Sequence, residues 1–356
     1  MNCCIYCFAD QGLHNRIKAI SIAQGICDFC KSKDVHVIDC ASLSEIFSPV
    51  FDSYIPLDKN TANVKQDAHR LLYQHLVSYW PKLFNCSKLI ENDIKLLVHH
   101  IGTAQESNFN MNLFETPVDL KIYSEDNLTE ETYTLQWEKF TEEIKQQNRF
   151  FIMSPLALND LDSVFNRLST TYPTGTEFYR ARISDVPLNA QSLGKPPHKK
   201  ATSGRANPIG IPYLYLSDKE ETTLYETRVS LHESISVAKF ILIEPLQVVS
   251  LKEILNYGPF DIQDKGFEIE EFMRIRPYLL KLEEELSKPV QKQDVNLDYL
   301  PTQYLCEFIK SLGFDAVEYR SAMAEGGYNL AVFNDKKLTC SSVRHYEVTG
   351  LKYQWE

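Results

Sequence analysis

At 356 residues the chain is roughly two to three times the size of a common domain, so at least two domains are expected. Hydrophobic residues make up 44% and charged residues 24%, the balance of a globular protein, and no apolar run approaches the ~18 residues of a membrane-spanning helix. With 37 Lys and Arg against 48 Asp and Glu, the net charge of −11 opposes nonspecific attraction to nucleic acid, yet a small anionic ligand needs only a few well-placed arginines.

The chain opens MNCCIYCFADQ, which lacks the basic start and apolar core of a signal peptide, so a reducing, cytoplasmic location is expected. There, nine cysteines with five inside the first 30 residues argue for metal rather than disulfides. Cys4-x2-Cys7, then 19 residues, then Cys27-x2-Cys30 is the spacing of a four-thiolate zinc site. Zn²⁺ held by four sulfurs is coordinatively closed, so its expected role is structural, ordering a segment too small to bury a core of its own. Cys3 could stand in for Cys4, and Cys40 or His36 for another ligand, but the pair spacing favours Cys4. Residues 1–50 carry four Lys or Arg against five Asp or Glu, which points to protein contact or scaffolding rather than nucleic-acid binding. Residues 1–48 are therefore read as a zinc-ribbon-like module.

The next stretch, SPVFDSYIPLDKN, carries Pro49 and Pro56 and reads as an irregular boundary. Residues 49–169 read as mainly helical. From Ala62 to Trp80 the apolar positions Val64, Leu71, Leu72, Leu76, Tyr79 and Trp80 fall near a helical period, and Leu158, Leu161, Phe165 and Leu168 do the same later. After TYPTGTE the texture turns strand-like, with FYRAR, IPYLYL, AKFILIE, LQVVSL, FDAVEY and NLAVF. Two helices punctuate these runs. The first is expected to start after Asp218 as a capping residue with Glu221 at N3. The second carries Tyr304, Leu305, Phe308 and Leu312 on one stripe and ends at Gly313. The acidic stretch from Glu268 to Glu285 reads as a solvated helix face. The expected fold class is α+β, with a mixed sheet in a domain spanning residues 170–356.

The chemistry concentrates in ATSGRANPIGIPYLYLSDKEETTLYETR, residues 201–228. A rigid Gly/Pro loop presents Arg205 and Asn207, a buried strand carries Tyr215, and a helix places Glu226 one to two turns in. One guanidinium, one phenol and one carboxylate are thus expected to converge at the end of a strand.

This block resembles the signature of the RES (Arg-Glu-Ser) family: a Gly-Arg-x-Asn-Pro-x-Gly loop, a Leu-Tyr-Leu strand, then a Thr/Ala-rich helix ending in Glu-x-Arg. FYRAR at 178–182 resembles the family's opening strand, with Arg180 as its arginine. FDAVEYRSAMAEGGYNLAVF at 314–333 resembles the closing strand, with Ser321 as the family serine. The segment CCIYCFADQGLHNRIKAI…CDFC is similar to the HEPN/RES N-terminal domain found ahead of such enzymes. Two departures stand out: Ala206 replaces the Trp that many stand-alone RES toxins carry, and residues 252–298 are longer than a minimal domain needs.

The resemblance implies a fold like the diphtheria-toxin-like ADP-ribosyltransferases and an activity that destroys NAD⁺ or transfers ADP-ribose, in a toxin or defence effector. It makes NAD⁺ the substrate and Glu226 the carboxylate that stabilises the cation formed as nicotinamide leaves. Arg180 and Arg205 would hold the pyrophosphate, Tyr215 would pack on nicotinamide or ribose, and Ser321 would hydrogen-bond the substrate. Arg182, Asn207 and Asn329 are further substrate contacts. An antitoxin or other regulatory partner is implied, since a free NAD⁺-destroying enzyme would kill its host, and the N-terminal extension is open to roles in inhibition, sensing or oligomerisation. Three competing readings remain: transfer of ADP-ribose to a protein target, a HEPN-type ribonuclease built on Arg70-x4-His75, and a non-enzymatic zinc-ribbon adaptor.

Overall fold

Three short strands near the N-terminus, β1 (Asn2–Cys4), β2 (Ala23–Gly25) and β3 (Val35–Asp39), form an antiparallel sheet in the order β1-β3-β2. The structure, a computed structural model, describes residues 1–21, 23–57, 70–104, 111–124, 129–154, 156–288 and 295–350. They group into two compact units, Met1–Glu131 with Glu253–Pro277, and Thr132–Lys252 with Tyr278–Glu356. Among the described residues no helix is long and apolar enough to cross a membrane.

In the first unit a pair of aspartates ties two helix N-termini together. Asp10 caps the helix Gln11–Ile20, its Oδ1 accepting from the Leu13 amide at 2.9 Å, while its Oδ2 accepts from the Phe260 amide at 2.9 Å in the helix Pro259–Asp264. Asp261 reciprocates, accepting from the Gly12 amide at 2.9 Å. Each carboxylate thus satisfies orphan amides of both helices. The approach needs glycine: a Cβ on Gly258 would collide with the Asp10 carboxylate. Burial, and next the charge of Asp261, push the Asp10 carboxyl up to about 6.

Residues 48–57 of the stretch expected to be irregular are ordered, and 58–60 lie outside the described residues. Pro49 lies inside the helix Ser44–Phe51, and Pro56 ends β4 (Tyr54–Pro56), which pairs with β5 (Val118–Leu120). Phe47 and Phe51 are fully buried, so side-chain packing outweighs the helix-breaking tendency of one proline. Of the helix expected from Ala62 to Trp80, the part Leu72–Tyr79 is present; residues 62–69, Val64 among them, lie outside the described residues.

The second unit is built on an eight-stranded mixed sheet. Its strands are β6 (Ser169–Tyr172), β7 (Glu177–Ile183), β8 (Leu214–Ser217), β9 (Ser234–Leu242), β10 (Leu246–Ser250), β11 (Ala316–Arg320), β12 (Tyr328–Val332) and β13 (Leu338–Glu347). The spatial order is β13-β9-β7-β8-β12-β11-β10-β6, with β10 and β11 parallel and the other pairs antiparallel. Every strand-like run of the sequence becomes a strand; β6 and β13 are additions.

Alternation along the central strands separates two faces. Leu214, Leu216, Leu330 and Val332 join Phe178, Phe240 and Val248 in one core cluster. The residues between them, Tyr215, Ser217, Asn329 and Ala331, turn to the opposite face and meet through the register Asn329↔Ser217 and Ala331↔Tyr215. Between β7 and β8 the described pairing is a bridge at Tyr179↔Ser217. Just past it, the Ala181 amide donates to Thr223 Oγ1 at 3.0 Å, so the helix Glu220–Thr227 is hooked on where the two strands part.

Two local expectations give way. Asp218 does not cap that helix: Lys219 is the N-cap, without a side-chain bond, which puts Glu221 at N2. Asp218 Oδ1 instead accepts from Thr222 Oγ1 at 2.7 Å and from the Tyr328 amide at 3.2 Å, fastening the helix to β12. The acidic stretch is not simply a solvated face either. Its helix, Ile269–Ser287, buries Phe272, Met273, Ile275, Leu279, Leu282 and Leu286, and Glu283 with them.

Candidate active site

Glu226 stands in the last turn of the helix Glu220–Thr227 with its side chain exposed. Its Oε1 accepts from Ser321 Oγ at 2.6 Å and from Asn329 Nδ2 at 2.7 Å. No hydrogen bond to Oε2 occurs among the described residues. The two donors are themselves oriented. Ser321 Oγ accepts from the Met323 and Ala324 amides at 3.1 and 3.0 Å, and Asn329 Oδ1 accepts from Ser217 Oγ at 2.7 Å. A glycine lets the helix come this close: a Cβ on Gly327 would sit 2.7 Å from Thr222 Oγ1.

The loop before β8 is held by a second network. Tyr215 Oη donates to Asn207 Oδ1 at 2.8 Å and accepts from the Ala206 amide at 3.0 Å. Asn207 Nδ2 donates to the carbonyls of Thr202, Pro208 and Ile211 at 3.0–3.1 Å, so the whole Asn207 amide is engaged inside the loop rather than turned outward. A Cβ on Gly204 would lie 2.7 Å from Tyr215 Oη, which explains the glycine ahead of Arg205. Buried Gln303 donates to Ser203 Oγ and to the carbonyls of Gly204 and Asn207, at 2.8–3.0 Å. The Arg205 carbonyl accepts from Thr302 Oγ1 at 2.7 Å, and Arg205 Nη1 donates to the Leu286 carbonyl.

Arg180 lies on β7 opposite Ala238, one residue past the bridge to β8. Its Nη1 is buried without a hydrogen-bond partner. Burial, and then the nearby charge of Arg182, lower the guanidinium to about 10, with Tyr215 opposing. Arg182 is exposed and donates to the Ser192 carbonyl at 2.8 Å. Burial lifts Tyr215 and Tyr319 well above the usual phenol range, so both stay protonated. Arg205, which lowers it, and Glu226, which raises it, act on Tyr319 after burial. The structure joins Glu226, Ser321 and Asn329 directly and joins Tyr215 and Asn207 directly; among the described residues the side chains of Arg180 and Arg205 hydrogen-bond to none of these. Ser217, Gln303, Thr302 and Tyr319 were not singled out in the sequence; their partners are distant in the chain and no local motif marks them.

In the first unit the sulfurs of Cys4, Cys7, Cys27 and Cys30 lie within 4.8 Å of one another, with Cys4–Cys30 at 3.5 Å and Cys7–Cys27 at 3.3 Å. A tetrahedral site with Zn–S near 2.3 Å has sulfurs about 3.8 Å apart, close to the spacing of these four, so the donor set suits a metal ion. The Cys27 thiol is held down to about 2 by bonds from Cys4 and Cys7, aided by the Phe29 and Cys30 amides. The alternatives fall away. Cys3 and Cys40 are buried free thiols outside the cluster, and His36 is exposed on β3.

His75 packs between Tyr54 and Tyr79, ring centroids at 5.1 and 5.9 Å, and burial lowers its pKa. Arg70 donates to Ser78 Oγ at 2.8 Å.

The RES domain model matches residues 177–356, just over half of the chain. Among solved structures, a chain in the crystal structure of the M. tuberculosis MbcT-MbcA toxin-antitoxin complex is similar at 15% identity and a TM-score of 0.32, covering 54% of this chain and 94% of that one. No curated protein matches.

Proposed function

From the premise that this chain belongs to the RES-domain family, we propose that its second unit cleaves the nicotinamide–ribose bond of NAD⁺ and that the protein acts as a toxin or defence effector. The observation that carries this reading is the Glu226 carboxylate, one oxygen fixed by Ser321 and Asn329 and the other without a hydrogen bond among the described residues. As the C1′–N bond breaks, nicotinamide leaves neutral with the electron pair and the ribose develops cationic character. A pre-oriented carboxylate stabilises that charge with little reorganisation. Water then adds to C1′ and releases one proton, giving nicotinamide, ADP-ribose and H⁺.

A desolvated guanidinium with an unused donor gains most from a doubly charged pyrophosphate, which supports Arg180 as a ligand of the phosphates, with Arg205 and Arg182 as further candidates. Tyr215 offers its ring to nicotinamide or ribose while its hydroxyl stays in the loop. Cys4, Cys7, Cys27 and Cys30 hold a structural zinc, which supplies folding energy to the first unit and takes no part in the reaction.

The test is to incubate the purified chain with NAD⁺ and, separately, with RNA. Nicotinamide and ADP-ribose in equal amounts, with RNA intact, is the expected result. Nicotinamide without free ADP-ribose, when protein targets are present, would redirect the reading to transfer. Intact NAD⁺ would overturn it.

A further inference from the structure

The C-terminal half of the long helix Ile269–Ser287, Tyr278–Ser287, belongs to the second unit. On that half Glu283 is 1% exposed, which is costly for a carboxylate unless its charge and both oxygens are matched. They are matched. Arg320 Nε donates to Glu283 Oε1 at 2.6 Å and Arg320 Nη2 closes a fork on Oε2, while Ser287 Oγ donates to Oε1 at 3.1 Å. Such a two-pronged contact fixes direction as well as distance.

Arg320 is the last residue of β11, and the next residue is Ser321, whose hydroxyl holds Glu226. One turn along from Glu283, the Leu286 carbonyl accepts from Arg205. A single helical turn therefore grips both arms of the candidate site, the strand end bearing Ser321 and the loop bearing Arg205. The sheet alone does not require this, because β11 already pairs with β12 as far as Arg320↔Tyr328. The Arg320 side chain is 44% exposed, so little core packing depends on it.

Resting on the NAD⁺-cleaving reading, we propose that Glu283 is a positioning residue for that reaction: through Arg320 it sets the Ser321 turn, and through Ser321 the orientation of the Glu226 carboxylate.

Glu283→Gln keeps the size of the side chain but removes its charge and turns one acceptor of the fork into a donor facing Arg320. The expected result is a kcat for NAD⁺ cleavage down about tenfold, with KM changed less than about twofold, the pattern for a contact that matters mainly in the transition state. In a Ser321→Ala background the same substitution has no further effect on kcat, since the route through Ser321 is already cut. A purely structural Glu283 would multiply the two losses instead. Should Glu283→Gln fail to fold, Glu283→Gln with Arg320→Gln removes both charges and is read in the same two backgrounds. Wild-type kcat in these variants, or losses that multiply, would overturn the proposal while leaving the NAD⁺ reading standing. Wild-type protein without NAD⁺ turnover would bring down both.

Discussion

Tyr215→Phe removes one oxygen and leaves two buried partners unmatched, the Ala206 amide at 3.0 Å and Asn207 Oδ1 at 2.8 Å. Each orphaned group costs about 1–3 kcal/mol, so a local loss of ~2 kcal/mol is a conservative figure for the two together. Because the phenol is held far above its usual range, the hydroxyl donates at every working pH and the loss does not depend on pH. The ring remains in place, so the effect concentrates in residues 201–211 rather than in the sheet. Hydrogen exchange reads it directly: ~2 kcal/mol corresponds to about thirtyfold faster exchange of the Ala206 amide if that amide opens locally. The Leu216 and Leu330 amides, within the β8–β12 pairing, should keep their protection. Wild-type exchange at Ala206 in the variant would refute the loop-pinning role of Tyr215.

Protein prepared without chelators should carry one zinc per chain; Cys27→Ser should lose it while Cys3→Ser keeps it, because Cys3 lies outside the four-sulfur cluster, and elemental analysis finding no zinc in the wild type would contradict the site. Asp10 prefers its proton more in the folded state, at about 6, than at its ordinary 3.8, so its contribution to stability falls as pH rises from about 4 to 6. Wild type should lose up to ~3 kcal/mol relative to Asp10→Asn across that window in urea melts of the first unit, and a gap that does not change with pH would refute the assignment. Gly327→Ala places a methyl 2.7 Å from Thr222 Oγ1 and should cost ~1–3 kcal/mol in the second unit's melting, with reduced NAD⁺ cleavage as the helix bearing Glu226 is displaced; an unchanged melting temperature would contradict that packing.

The parts legible in the sequence are those whose causes are local. Cys4-x2-Cys7 and Cys27-x2-Cys30 announce their geometry by spacing alone, and runs such as AKFILIE and NLAVF announce strands buried on both faces. The strands that escaped notice, STTY of β6 and LTCSSVRHYE of β13, lie at the two edges of the sheet, where a polar sequence is tolerated. Glu283 escaped for a different reason. In a run of acidic residues it is indistinguishable from exposed Glu284, and what buries it is Arg320, 37 positions away. Asp218 misled because a capping residue and a cross-strand anchor share the same side chain; only the position of Tyr328 tells them apart. Motif resemblance brought Glu226, Ser321 and Arg205 forward, yet the residues that hold them, Ser217, Gln303 and Thr302, sit in no recognisable pattern.

The central claim is that the Glu226 carboxylate stabilises the cation formed when NAD⁺ loses nicotinamide, and the rate of nicotinamide release by wild type and by Glu226→Gln tests it most directly. The amide oxygen can still accept from Ser321 and Asn329, so the fold and the melting temperature should be unchanged. Only the charge is lost. A fall in rate on the order of 10²-fold or more is predicted; a Glu226→Gln protein that releases nicotinamide at the wild-type rate would contradict the account.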